Sequence, residues 1–193
     1  SEHTEERIVS TPTLTDKVSQ LIEKDILIGK LEPGSKLVVA DLKTKYQVGA
    51  SPIREALVQL SWINYVDLEP QKGCWVADIS SDELTEVYDG LILISKELLK
   101  RAMRENNRSW ELRVINAFHH LTRVYQRAAE FDWYTQEEAQ HQFYMELLSG
   151  AQAKNMQLFF NHLLNQARRY RYFSHNSGLP RLNSFDDYES IIQ

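Results

Sequence analysis

The side chains with the clearest chemical potential lie between Lys36 and Arg54, where Lys36, Lys43, Lys45 and Arg54 outnumber a single carboxylate, Asp41. Such a local excess of cations suits a polyanion, because each one that neutralises a phosphate releases a condensed counterion. Ser51 and Pro52 read as a helix cap followed by proline at the first helical position, where a missing N–H costs nothing. Backbone N–H groups at that start carry partial positive charge and suit a phosphate oxygen. With Ile53, Leu57 and Leu60 as the buried stripe, Ala50, Ser51, Arg54 and Val58 point the other way, toward solvent or a partner. Nowhere does the sequence pair a nucleophile with a base, set two catalytic carboxylates together or form a phosphate-cradling glycine loop.

The remaining candidates weigh less. His119 and His120 are adjacent in a helix and face different ways, so a shared metal is not expected. Arg168, Arg169 and Arg171 form a charge run of the kind usually solvated. Arg171 nevertheless continues an inward stripe of Phe160, Leu164 and Ala167 and suits a ligand carboxylate. Trp62, Trp75, Trp110 and Trp133 read as packing residues, and Cys74 as a small apolar filler.

The elements that must position these groups belong to an ordinary globular chain of 193 residues, 42% apolar, with net charge −5. One cysteine gives no internal disulfide, metal cluster or redox pair, so a cytoplasmic setting is expected. The longest mostly apolar stretch, Leu91 to Ile94, is far short of the roughly 20 residues that span a bilayer. No membrane contact is expected. Residues 1–12 are polar and acidic, a loose leader rather than a signal peptide.

Leu14, Val18, Leu21, Ile22 and Ile28 follow helical spacing behind a cap at Thr15, and Glu32-Pro33-Gly34 stops the pattern. A short helix runs from about Val39 to Tyr46, and a third opens at Ser51-Pro52 and ends at Asn64. Two alternating runs, Tyr65 to Glu69 and Cys74 to Ala77, surround Pro70-Gln71-Lys72-Gly73 as a β-hairpin. From Ser81 the pattern is helical: a long helix to about Asn106, then Trp110 to Phe131, Thr135 to Leu148 and Asn155 to Phe173. The second is striped by Val114, Phe118, Leu121, Tyr125 and Ala128. A further helix begins at Ser184 and stops early at Gln193, which suggests a truncated end. The expected fold is therefore mainly α. An N-terminal winged helix-turn-helix domain with a small β-hairpin (residues 13–78) precedes a C-terminal antiparallel helical bundle (residues 81–193). Residues 1–77 hold 9 basic and 11 acidic side chains, so the cations are gathered on the face that would meet phosphates.

The run from Tyr46 to Leu57, YQVGASPIREAL, resembles the GntR family signature Y-G-V-S-R-T-P-V-R-E-A-L. Gly29 to Leu37 upstream and Lys72 to Val76 downstream match the same family in order and spacing. The helical remainder resembles the ligand-binding (FCD) domain of the FadR subgroup. The resemblance implies a bacterial transcription factor, a repressor or activator, that binds double-stranded operator DNA as a homodimer and answers to a small-molecule effector, commonly a carboxylate. By the same resemblance Arg54 contacts DNA from the third helix, Ser51 touches phosphate or base, and Lys72 with Gly73 forms the wing tip. Lys43, Lys45, Gly49, Ala50 and Pro52 complete the expected DNA-binding set. The chain departs from the signature at Ala50, where the family has a second arginine, and at Gly49, where it has serine, removing a guanine contact of about 1–3 kcal/mol.

The subgroup often holds a divalent metal through Asp-x-x-x-His and two later histidines. The nearest counterpart is Glu137 with His141, or in another register His141 with Met145. The third ligand falls near Tyr188, the fourth lies past Gln193, and the expected arginine aligns with Leu91. The ligand set is incomplete, so a divalent metal stays possible without an assigned site, and the effector site rests on His141 and Arg171. The competing classes are a winged-helix protein-interaction module and a metal-dependent enzyme in the helical domain.

Overall fold

The computed structural model describes residues 12–105 and 107–178. Within them the chain forms α1 (Leu14–Leu27), α2 (Val39–Tyr46), α3 (Ala50–Trp62), β1 (Val66–Glu69), β2 (Gly73–Val76), α4 (Ser81–Glu105), α5 (Arg108–Gln126), α6 (Trp133–Leu148) and α7 (Lys154–Asn176). Two compact units divide between Ile79 and Ser80. The expected leader and the helix at Ser184 lie outside the described residues.

In the first unit the cap of α1 is Thr13, not Thr15. Thr13 Oγ1 accepts the Asp16 N–H at 3.1 Å, and the Thr13 N–H donates to Asp16 Oδ2 at 3.0 Å. A threonine followed three residues later by an acid satisfies two orphan donors at once, which Thr15 has no partner to do. Those bonds hold the Asp16 carboxyl below its ordinary range. Val18, Ile22 and Ile26 of α1 are buried, as are Leu42 of α2, Ile53, Ala56, Leu57 and Leu60 of α3, and Tyr65 and Val66 after it. Each such aliphatic side chain stabilises the fold by about 1.5–3 kcal/mol. Asn64 takes the left-handed conformation, φ 59°, that stops α3 and turns the chain into the hairpin.

β1 and β2 pair antiparallel from Val66 opposite Val76 to Glu69 opposite Gly73. A third extended stretch joins them: Leu37 N–H donates to Cys74 O at 2.8 Å, and Val76 N–H to Ser35 O at 2.9 Å. Gly34, φ 76°, starts this stretch, and a β-carbon there would lie 2.7 Å from Asp78 Oδ1. Cys74 is buried among these strands, which pushes its thiol up to about 11.

In the second unit α4 runs antiparallel to α7, and α6 to both α5 and α7. Glu83 near the start of α4 accepts the hydroxyl of Tyr170 near the end of α7 at 3.1 Å. Val87, Leu91, Leu98 and Ala102 of α4 pack in one core with Phe143, Tyr144 and Leu148 of α6 and Phe160, Leu164 and Ala167 of α7. α5 starts at Arg108 under an Asn107 cap and ends at Gln126, short of Phe131. Of the expected stripe Leu121 is buried and Val114 and Tyr125 pack against the core beside Trp110 and Val124, whereas Phe118 is exposed and Ala128, also exposed, lies past the end of the helix. The Trp110 indole donates to Glu146 O at 3.0 Å. It fills the space above Gly150, where a β-carbon would stand 2.5 Å from the ring. Trp62, expected to pack, is 68% exposed at the end of α3. Arg169, expected in a solvated charge run, is buried, and Arg171, expected to continue the inward stripe, is buried against Glu137 of α6. No helix among the described residues is long and apolar enough to cross a membrane.

Candidate nucleic-acid interface

α2, a three-residue turn and α3 set the geometry. Gln47 ends α2 in the left-handed conformation, φ 56°, and its side-chain amide donates to Thr44 O at 2.8 Å. α2 is pinned to α1 through one acid: Asp25 accepts the Tyr46 hydroxyl at 2.6 Å and meets Lys45 Nζ at 3.3 Å. Burial, then Asp25, raises the Tyr46 hydroxyl far above its ordinary value. Lys45 is thus partly committed to Asp25, while Lys43 stays exposed.

α3 begins two residues earlier than the Ser51-Pro52 pair suggests. Gly49 is the N-cap with extended backbone, Ala50 the first helical residue, and no side chain caps the helix. Proline is tolerated at the third helical position for the same reason as at the first, because the first-turn N–H groups have no intrahelical acceptor. The start of α3 therefore offers backbone donors that no side chain among the described residues satisfies. On its outer face Ser51, Arg54 and Val58 are exposed, and among the described residues no carboxylate pairs with Arg54. The neighbouring acid, Glu55, accepts the Thr15 hydroxyl at 2.7 Å and so is tied to α1.

The hairpin turn carries Lys72, with Lys36 beside it. Lys72 is 77% exposed by side chain at the turn, with only a 4.0 Å contact to Glu69. Gly73 has φ 138°, and a β-carbon there would meet Lys36 Cε at 3.2 Å. Lys36 Nζ lies 5.7 Å from the centre of the Trp75 ring. The structure thus puts Lys36 on the wing, a place the sequence did not assign; the only signal was a three-residue alternation with Leu37 buried between exposed Lys36 and Val38.

The residues singled out in the helical unit also come together, as a polar cluster. Arg171 Nε donates to Glu137 at 2.9 Å, with both side chains buried, and Arg168 pairs with Glu138, which also accepts the Tyr172 hydroxyl at 3.0 Å. His141 Nδ1 and Gln140 Nε2 are buried with no hydrogen-bond partner among the described residues. Burial, then Arg168 and Arg171, depress the His141 imidazole to about 3. This donor set does not fit a divalent cation: the Glu137 carboxylate is occupied by a guanidinium, and two guanidiniums face the histidine. Among the described residues no three His, Cys, Asp or Glu side chains converge to hold a metal, and Tyr188 lies outside them. On α5, Phe118, Leu121, Thr122, Tyr125 and Gln126 line an open depression of about 400 Å³.

Three-helix packing, an exposed α3 face and a hairpin that carries Lys72 beside Lys36 are the arrangement of a winged-helix DNA-binding domain. Residues 14–76 match the family of bacterial regulatory proteins, gntR family. The chain is a transcriptional regulator with a GntR-family helix-turn-helix domain that binds DNA. It is 28% identical over 189 residues, 95% of the chain and 76% of the relative, to the uncharacterised HTH-type transcriptional regulator BphR of Paraburkholderia xenovorans (strain LB400). It is 28% identical over 152 residues, 78% of the chain and 69% of the relative, to the HTH-type transcriptional repressor GlaR of Escherichia coli (strain K12). Among solved structures, E. coli McbR/YncC has TM-score 0.70 at 16% identity, covering 94% of this chain and 82% of that one. A putative GntR transcriptional regulator from Rhodococcus sp. RHA1 has TM-score 0.62 at 22% identity, covering 82% and 74%. The shared fold is a winged helix followed by a helical domain.

Proposed function

We propose that the chain is a metabolite-responsive transcription factor that binds operator DNA as a homodimer through α3 and the β1–β2 wing, with a small carboxylate in the helical unit tuning its affinity. The observation that carries this reading is the α3 face, where Ser51, Arg54 and an uncapped helix start lie open to a groove and its phosphates. Two such helices must sit about one turn of DNA apart, roughly 34 Å, which a dimer supplies. Leu93 and Met103 on α4, and Leu112 and Ile115 on α5, are large exposed apolar side chains that suit burial against a second copy.

Gln140 Nε2, a buried N–H donor without an acceptor among the described residues, beside His141 and the Arg168 and Arg171 guanidiniums, supports an anionic effector that supplies the acceptor. Binding shifts operator affinity by the ligand's differential affinity for the two states. Action as a repressor is supported by the printed name of GlaR.

Titration of labelled duplex DNA at several salt concentrations tests the DNA reading. A steep linear fall of log affinity with log salt, together with a two-to-one protein-to-duplex stoichiometry, is expected. Salt-independent binding, or none, contradicts it. A thermal-shift screen of small carboxylates, with and without chelator, tests the effector: a metal-independent rise in melting temperature is expected. A rise that needs divalent metal contradicts the metal-free cluster.

A further inference from the structure

We infer that Ala50 and Val58 are specificity-determining residues that read thymine methyl groups on either side of a guanine held by Arg54. The inference rests on the reading of α3 as the DNA-facing helix. Ala50, Arg54 and Val58 are spaced by four, so they form one line along the helix. At 1.5 Å per residue, neighbours in that line are about 6 Å apart, close to two base-pair steps.

The chemistry differs along the line. Arg54 carries the donors that suit guanine O6 and N7. Ala50 and Val58 have no donor or acceptor and cannot answer the polar edge of any base. Val58 is 41% exposed, an isopropyl group held in water on the outer face of α3. In the major groove the apolar feature that rewards such a group is the C5-methyl of thymine, and alanine and similar methyl-bearing side chains make that contact. The one carboxylate beside Arg54 that could accept from cytosine, Glu55, already takes the Thr15 hydroxyl. Each half-site is therefore expected to hold a guanine with thymine methyls about two base pairs to each side.

The test selects bound duplexes from a randomised pool with the full chain, then replaces each selected thymine by deoxyuridine, which removes the methyl and leaves base pairing intact. Loss of the flanking methyls should weaken binding about fourfold each, the worth of one buried methyl. Val58→Ser, at an exposed position, and Ala50→Gly, at the half-buried first residue of α3, both checked by melting temperature, should become indifferent to deoxyuridine at one flank each. Ala50→Arg should exchange the thymine preference at its flank for guanine. Sequence-specific binding that ignores deoxyuridine, or half-sites without the flanking thymines, overturns this inference and leaves the DNA reading standing. No enrichment of any sequence overturns both.

Discussion

Arg54 and Arg171 are the same side chain in opposite circumstances. Arg54 stands exposed on α3 with no carboxylate partner among the described residues, whereas Arg171 is 4% exposed and held by Glu137. An arginine left in water costs little and keeps its planar fork available to a partner that brings its own acceptors. A buried one must be neutralised within the fold, and becomes part of what the fold depends on. The contrast separates an exposed guanidinium on α3 from one held inside the helical unit.

The largest effect that would sharpen the contrast is on stability. Glu137→Ala leaves the Arg171 guanidinium buried without its partner and should cost about 3–5 kcal/mol in denaturant unfolding. The double replacement Glu137→Leu with Arg171→Met should recover most of it, since well-packed apolar substitutes avoid burying charge at all. If Glu137→Ala unfolds like the parent chain, the two arginines are not energetically different and the comparison fails.

Next in size is Arg54→Ala, expected to weaken operator binding by about 1–3 kcal/mol while leaving the unfolding midpoint where it was. A shift in the midpoint instead would place Arg54 among the structural residues.

His141 gives a pH-dependent difference between the two units. Its imidazole titrates at 6.5 when unfolded and about 3 when folded, so the unfolded chain holds the extra proton between those values. The stability it contributes is complete above the unfolded value and declines as pH falls toward 3. His141→Gln should therefore lose less stability than the parent chain between about pH 7 and pH 5. Equal losses contradict a buried neutral imidazole.

The smallest effect is at the wing. Lys72→Ala should lower affinity evenly across sequences and flatten the salt dependence by about one phosphate's worth. An altered sequence preference would make Lys72 a base reader.

The DNA-binding half was far more legible in the sequence than the helical half. Helix α2, the outward direction of Ser51, Arg54 and Val58, and the hairpin all follow from local rules: periodicity, a proline in a first turn, and an Asn and a Gly at turn positions. What stayed hidden there is non-local. The pairing of Ser35 and Leu37 with the hairpin depends on a backbone ladder that three alternating residues cannot announce. The salt bridge that occupies Lys45 depends on Asp25, twenty positions away. In the helical half the ends other than that of α5 were placed to within a few residues, and Arg171 was read on the inward stripe, yet the burial of Arg169 was missed, because a charge run reads as solvated unless the packing around it is known. Trp62 failed for the converse reason: its position on the outward line of α3 overrode its size.

Methylation interference at guanine N7 with the parent chain and Arg54→Ala tests the central claim most directly, since N7 is the acceptor a guanidinium would use in the major groove. The account predicts one strongly interfering guanine in each half-site with the parent chain, and its disappearance in the variant while the other contacts persist. An unchanged interference pattern in Arg54→Ala would contradict the assignment of α3 as the helix that reads the operator.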